Sequence, residues 1–122
     1  MIDDTGIAWA AGFFDGEGTT SCWGQANGHI RIGLRVPQKT PELLEQFQTI
    51  VGGFGQISQG HTREMYTYGL NGLANVQHVL GLLWPYLGEE KRKQAVSAVE
   101  KWIELKGSQR YCVSKLSEVD HR

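Results

Sequence analysis

The sequence is poor in cysteine and has no apolar stretch long enough to cross a membrane. Its two cysteines, Cys22 and Cys112, form no C-x-x-C pair and have no histidine at ligand spacing, so neither a zinc site nor a required disulfide is predicted. The longest apolar run falls far short of the roughly 20 residues that a membrane span needs. The N-terminus carries Asp3 and Asp4 where a signal peptide would be basic. We therefore expect a soluble, intracellular protein with no membrane partner.

Basic residues are missing from residues 1–30, although the chain as a whole is nearly neutral. The 122 residues contain 12 Lys and Arg against 13 Asp and Glu, a formal charge of −1 that excludes a histone-like or polybasic membrane-binding protein. After this acidic first part, Arg31, Arg35 and Lys39 follow without an acid between them. At 40% hydrophobic and 20% charged residues, the composition is that of one ordinary globular domain. Local charge therefore matters more than the net charge.

Hydrophobic periodicity and turn signals predict alternating helices and hairpins. Asn27-Gly28 is a strong hairpin signal, Thr40 as N-cap and Pro41 at the first helical position indicate a helix start, and Pro85 ends a helical pattern. The predicted elements are a helix over 5–14, strands over 19–25 and 29–36, a helix from 41 to the glycines at 52–53, strands over 55–59 and 65–70, a helix over 73–84 and a helix over 89–106.

This order predicts an α+β domain over residues 1–106, in which helices cover one face of an antiparallel four-stranded sheet. In the second strand, Ile32 and Leu34 alternate with Arg31 and Arg35, so the uncovered face of the sheet is predicted to be basic. Residues 107–122 are expected to form a polar C-terminal tail that is loose or is ordered only on a partner.

The most specific stretch of the sequence is Trp9-Ala10-Ala11-Gly12-Phe13-Phe14-Asp15-Gly16-Glu17-Gly18. It resembles the LAGLIDADG motif of homing endonucleases. The element order, the single motif, the step Gln38-Lys39-Thr40 and the stretch Lys91-Arg92-Lys93-Gln94-Ala95 are similar to the homodimeric branch of that family. The resemblance covers residues 7–106. It implies the αββαββα homing-endonuclease fold, whose sheet forms a saddle for DNA.

The resemblance also implies an activity. It indicates a site-specific endonuclease of mobile introns that, as a homodimer, hydrolyses phosphodiesters on both strands of a long pseudo-palindromic DNA site. It implies Mg²⁺ as cofactor, with Mn²⁺ as a substitute, and a location in bacterial or phage cytoplasm or in an organelle. The alternative is an intron RNA maturase or a non-cleaving DNA-binding protein of the same fold, which need not keep a metal ligand at Glu17. A helix-mediated interaction protein is disfavoured by the basic strand faces.

Small residues on the first helix indicate close helix packing. Gly12 and Gly16 are spaced G-x-x-x-G, which lets two helix backbones approach closely. The chain's own core is one candidate for the neighbouring helix, but together with the resemblance a two-fold dimer is expected. The expected interface residues are Ala8, Ala11, Gly12, Phe13, Asp15 and Gly16.

The end of the first helix carries two carboxylates, Asp15 and Glu17. Dimer symmetry would bring the two copies of Glu17 together, and crowded carboxylates favour a hard cation such as Mg²⁺. By resemblance the metal ligands are Glu17, where the family more often has Asp, and the carbonyl of Gly16, while Asp15 is structural. The resemblance implies catalytic roles for Glu17, for Gln38 as a solvent-ordering group and for Lys91 as a cation near the scissile phosphate. On the residues alone, Gln38 and Lys91 could be ordinary surface positions.

The uncovered sheet face is the expected DNA-binding surface. A two-stranded ribbon fits the major groove, where arginine bonds guanine with two hydrogen bonds. Arg31 and Arg35 are the strongest candidates for base contacts, and Lys39 and Lys93 for phosphate contacts. The alternative is an ordinary polar strand face, and a register shifted by one residue would turn Trp23 into the core. The predicted DNA-binding set is Ser21, Trp23, Gln25, His29, Arg31, Arg35, Lys39, Gln56, Ser58, Arg63, Thr67 and Lys93.

Overall fold

The computed structural model describes residues 4–24, 28–60 and 64–120, with side chains described as far as residue 107. A short 3-10 turn, Trp84–Tyr86, connects the last two helices. The predicted α+β class and the helix and hairpin order are confirmed. The elements are α1 (Asp4–Glu17), β1 (Thr19–Gly24), β2 (Ile30–Gln38), α2 (Glu42–Ile50), β3 (Gln56–Gln59), β4 (Tyr66–Asn71), α3 (Leu73–Leu83) and α4 (Glu89–Asp120).

The described strands form one antiparallel sheet in the order β1-β2-β4-β3. Ile32, Leu34 and Val36 of β2 are buried under the helices, as the alternation predicts. Trp23 pairs with Arg31 across β1 and β2, so the predicted register is correct and Trp23 lies on the face without helices. The hairpin turn residues Ala26 and Asn27 lie outside the described residues.

Aromatic rings fill the space between α1, α2 and the sheet. Phe47 of α2 is fully buried, and its ring centre lies 6.0 Å from that of Phe13, 6.3 Å from that of Phe14 and 5.0 Å from that of Tyr68. The Tyr68 hydroxyl donates a hydrogen bond of 2.7 Å to the carbonyl of Phe54. Burial raises the pKa of Tyr68 to about 12, so this phenol remains a donor. These rings fix α1 to the sheet.

The first two helices have boundaries that differ from the prediction. α1 continues to Glu17, beyond the predicted end at residue 14, because Gly16 stays helical once the helix is packed against the core. α2 begins at Glu42 with Pro41 as its N-cap and no side-chain cap hydrogen bond, so the assignment of Thr40 as N-cap is wrong by one residue. The Pro41 carbonyl already accepts from the Glu45 amide at 2.9 Å, which is the first hydrogen bond of the helix.

The last helix is longer than predicted. α4 extends to Asp120, so the predicted end at residue 106 is wrong, and residues 107–120 continue the helix instead of forming a loose tail. The helix contacts β1 and β2, and its Ala95 and Ala98 are buried. Within the described residues, no helix combines the length and the apolar character that a membrane crossing requires.

Replacing Phe47 with alanine should lower the free energy of unfolding by about 3–5 kcal/mol, because the substitution leaves a cavity among the surrounding rings. Leu43→Ala on the same helix is the control, since Leu43 is 39% exposed and should cost no more than about 1 kcal/mol. Urea denaturation of both variants measures the difference. Equal losses would contradict the central position of Phe47.

Candidate metal site and nucleic-acid interface

The end of α1 is set by close contact with the phenyl ring of Phe14. Gly18 follows the helix, and its amide donates to the Phe14 carbonyl at 2.7 Å. A Cβ at Gly18 would overlap the Phe14 ring, so glycine is required for the chain to turn directly from α1 into β1. Glu17, the last residue of the helix, is exposed at this turn.

Hydrogen bonds of three side chains, those of Asp15, Lys91 and Gln94, connect the end of α1 and the start of β1 to the start of α4. Both carboxylate oxygens of Asp15 accept from the Gly88 amide at 2.9 Å. The Lys91 ammonium donates to the Gly18 carbonyl at 2.6 Å, and the Thr20 amide donates to Oε1 of Gln94 at 3.0 Å. We call these contacts the α1–α4 joint.

The structural role expected of Asp15 has a direct physical basis in the joint. Gly88 precedes α4, and its carbonyl accepts from the Arg92 amide at 3.1 Å, so it occupies the N-cap position. A carboxylate there satisfies a backbone donor and faces the positive end of the helix dipole.

Glu17 and two other predicted site residues line one open pocket of about 360 Å³, which is bounded by Glu17, Pro37, Gln38, Lys39 and Met65. Gln38 is the last residue of β2 and is half-buried, while Lys39 is exposed beside it. Lys91 lies on α4 and contacts the same end of α1 by donating to the Gly18 carbonyl. The structure therefore brings Glu17, Gln38 and Lys39 together around one pocket. Lys91 contacts Gly18, the residue that follows Glu17.

The donor chemistry at the end of α1 fits a hard cation. Glu17 supplies an exposed carboxylate, and the carbonyl of Gly16 belongs to the last helical turn, where carbonyl oxygens lack intrahelical partners. The negative end of the helix dipole adds to the attraction. Among the described residues, however, no group of three or more His, Cys, Asp or Glu side chains could hold a metal ion. The candidate ligands at this helix end are therefore the Glu17 carboxylate and the Gly16 carbonyl.

One side of α1 is buried and the opposite side is open. Ile7, Ala10 and Phe14 pack into the core. Gly12 and Gly16 are exposed, and a Cβ added at either would meet nothing within 4 Å. We call the exposed residues Ala8, Gly12 and Gly16 the small-residue stripe.

The predicted interface set needs one correction. Ala11 is fully buried within the chain's own core, so its side chain does not face a partner. Phe13 is half-buried and stacks on Trp9 at 5.2 Å between ring centres. Asp15 is engaged in the α1–α4 joint. Ala8, Gly12 and Gly16 remain as the open part of the set.

Most of the predicted DNA-contacting side chains share the uncovered side of the sheet. This surface, the open face, is defined by the strand register and includes the predicted residues Ser21, Trp23, Arg31, Arg35, Gln56, Ser58 and Thr67. His29 is exposed just before β2, and Lys39 follows its end. Lys93 lies on α4 and not on the sheet, in an exposed ion pair of 3.2 Å with Glu89. Gln25 and Arg63 lie outside the described residues.

Asn71 is a residue of the open face that the sequence reasoning missed. It is the last residue of β4, and its Oδ1 accepts a hydrogen bond of 2.8 Å from Arg35. Its partner is distant in the chain, so only the paired register of β2 and β4, which places Asn71 opposite Gly33, brings the two together. The polar alternation of β4 was the available signal.

Comparison with known proteins gives matches among solved structures. No protein-family model matches the sequence, and no curated protein does. The homing endonuclease I-CvuI in complex with its target in the presence of Ca is similar at a TM-score of 0.68 and 27% identity, over 84% of this chain and 69% of that one. I-CvuI in complex with the I-CreI target in the presence of Mg is similar at a TM-score of 0.63 and 29% identity, over 73% of this chain and 60% of that one. The LAGLIDADG meganuclease I-AabMI bound to uncleaved DNA is similar at a TM-score of 0.69 and 17% identity, over 91% of this chain and 41% of that one. At this identity the similarity shows the fold alone.

The chain has the LAGLIDADG homing-endonuclease fold. This confirms the resemblance that the motif at 9–18 carries. In this chain the stretch at residues 9–18 forms the second half of α1 and the turn into β1, so Glu17 lies where α1, the sheet and α4 meet.

Replacing Asp15 with alanine should lower the free energy of unfolding by about 1 kcal/mol, because the Gly88 amide loses a charged acceptor at a solvent-accessible site. Glu100→Ala, an exposed carboxylate within α4, is the control and should change stability by less than about 0.5 kcal/mol. Thermal or urea unfolding gives both values. An Asp15→Ala variant as stable as the wild type would show that the α1–α4 joint does not depend on this bond.

Proposed function

We propose that the protein is a site-specific DNA endonuclease that works as a homodimer and uses Mg²⁺ to cut both strands of a pseudo-palindromic duplex. The observation that carries the proposal is that the small-residue stripe and Glu17 lie on the same helix, beside a sheet with a polar and basic open face. A helix that packs on its own copy would place two copies of Glu17 and two sheets around one axis.

The small-residue stripe supports the dimer. Without Cβ atoms at Gly12 and Gly16, two α1 helices can approach closely along the i, i+4 row. An isologous contact pairs the same surface with itself, as one stripe on one chain requires. The position of Glu17 at the end of that helix supports the same arrangement, because a second copy would bring a second carboxylate to the end of the paired helices.

The metal would be held by Glu17 and the Gly16 carbonyl. When bound, Mg²⁺ supplies Lewis-acid stabilisation of the charge that develops on a phosphodiester. Gln38, in the same pocket as Glu17, would orient solvent. Lys91 keeps N–H groups beyond the one it gives to Gly18 and would place positive charge near the phosphate.

The open face would lie in the major groove. Its side chains include arginines, which bind guanine, and a glutamine, which binds adenine. Its hydroxyl groups can bond either a donor or an acceptor on a base edge. I-CvuI was solved on DNA in the presence of Ca or Mg, which supports a duplex and a divalent cation here. A protein of this fold that binds without cutting is the alternative, and the exposed carboxylate of Glu17 favours the nuclease.

Glu17→Gln should lower the cleavage rate by at least about 100-fold, because a bound metal supplies several kcal/mol of transition-state stabilisation and about 1.4 kcal/mol is a factor of ten. Binding of the same duplex should persist. The substrate is a duplex selected by the wild type from a randomised library with Mg²⁺ present, and cleavage and binding are read separately on gels.

Glu104→Gln, an exposed carboxylate far along α4, is the matched control and should cut like the wild type. Undiminished cleavage by Glu17→Gln would remove Glu17 from the metal site. A wild type that binds its duplex but never cuts with Mg²⁺ or Mn²⁺ would favour the non-cleaving alternative.

Gly12→Leu should weaken the dimer by about tenfold or more, because the added side chain separates two closely packed helix backbones. Light scattering at micromolar concentration measures the mass. Gly81→Leu is the control, since Gly81 is also an exposed helical glycine whose Cβ would meet nothing within 4 Å. A wild type that is monomeric on its own and on DNA would contradict the proposed interface.

A further inference from the structure

Arg35 lies flat on the open face instead of extending from it. Its Nη1 donates to the carbonyls of Leu34 at 2.7 Å and Leu70 at 3.5 Å, and its Nη2 donates to Oδ1 of Asn71 at 2.8 Å. Its guanidinium carbon lies 5.4 Å from the centre of the Trp23 ring, within cation–π range. Neighbours on three adjacent strands therefore hold the guanidinium in one orientation.

Glycines provide the space in which the guanidinium lies. A Cβ at Gly33 would be 2.8 Å from Nη1 of Arg35, and a Cβ at Gly69 would be 3.4 Å from the same nitrogen. Gly33 is paired with Ser21 on one side and Asn71 on the other, in the middle of the open face. A side chain at position 33 would occupy the place that the guanidinium takes.

The hydrogen bonds leave one edge of the guanidinium available. Nη1 has two N–H groups and two carbonyl partners, and Nη2 uses one N–H for Asn71. Among the described residues, none accepts from Nε. Nε and Nη2 lie on one edge of the guanidinium, and an N–H from each would form the planar fork that matches the O6 and N7 acceptors of guanine.

We propose that Arg35 selects a guanine in each half of the DNA site and that Asn71 is the positioning residue that orients it. The inference rests on the proposed function. It identifies the residue that determines the preference for guanine. Because the guanidinium is already ordered, binding loses little further side-chain entropy, and a fixed fork discriminates against bases without paired acceptors. Arg31 is exposed on the same strand and face and, within the described ranges, has no hydrogen bond or ion pair. It should contribute affinity more than base choice.

The test compares the base preferences of the full chain and its variants, each used to select duplexes from a randomised library. The wild type should prefer guanine at one position per half-site, with other bases bound about tenfold or more weakly. Arg35→Lys keeps the charge but not the fork, so it should lose that preference and retain the others. Arg31→Lys is the matched control and should keep the guanine preference.

The positioning role of Asn71 has its own comparison. Asn71→Ala should reduce the guanine preference severalfold, whereas Asn71→Asp, which keeps an acceptor oxygen for Nη2, should restore it. Equal melting temperatures of the variants exclude loss of fold as the cause. If Asn71→Ala selects with the wild-type preferences, Asn71 does not orient Arg35.

The outcomes separate this inference from the one on which it rests. Unchanged preferences in Arg35→Lys, or an equal loss of affinity for every base, would overturn the inference and leave the endonuclease proposal standing. A wild type that selects no duplex would overturn the proposed function and this inference with it.

Discussion

The α1–α4 joint is the contact on which the candidate site depends. α1 leaves the core at Glu17, and the Asp15 carboxylate, the Gly18 carbonyl and the Thr20 amide are all bonded to the first turns of α4. These bonds fix the direction of the helix end and the start of β1 together. These bonds therefore fix the position of Glu17 relative to the sheet.

The buried and open sides of α1 have different roles. The core side, with Phe14 against Phe47, attaches the helix to the sheet, and the opposite side presents glycines with empty space above them. The charges are divided in the same way. Arginines lie on the open face, while Asp15 and Glu17 lie at the helix end, so a net charge of −1 is compatible with a duplex partner.

Local patterns in the sequence were enough to predict the sheet. The alternation in β2 gives its buried face, and the predicted strands 19–25 and 29–36 give the pairing in which Trp23 and Arg31 share the open face. The resemblance to the family predicted that Glu17 and Gln38 belong to one site, and they line one pocket.

Facts that depend on tertiary contacts could not be predicted. α1 is apolar nearly all round, so the pattern does not say that Ala11 faces the core while Gly12 faces outward. The bond from Gly88 to Asp15 and that from Arg35 to Asn71 join distant parts of the chain. No local propensity carries such pairings.

The central claim is that one chain supplies half of a symmetric, DNA-bound site. Native mass spectrometry of the protein on the duplex that it selects measures this directly, because the mass gives the number of chains on each duplex. We expect two chains per duplex at every concentration at which a complex forms. A stable complex of one chain with one duplex, cut on both strands, would contradict it.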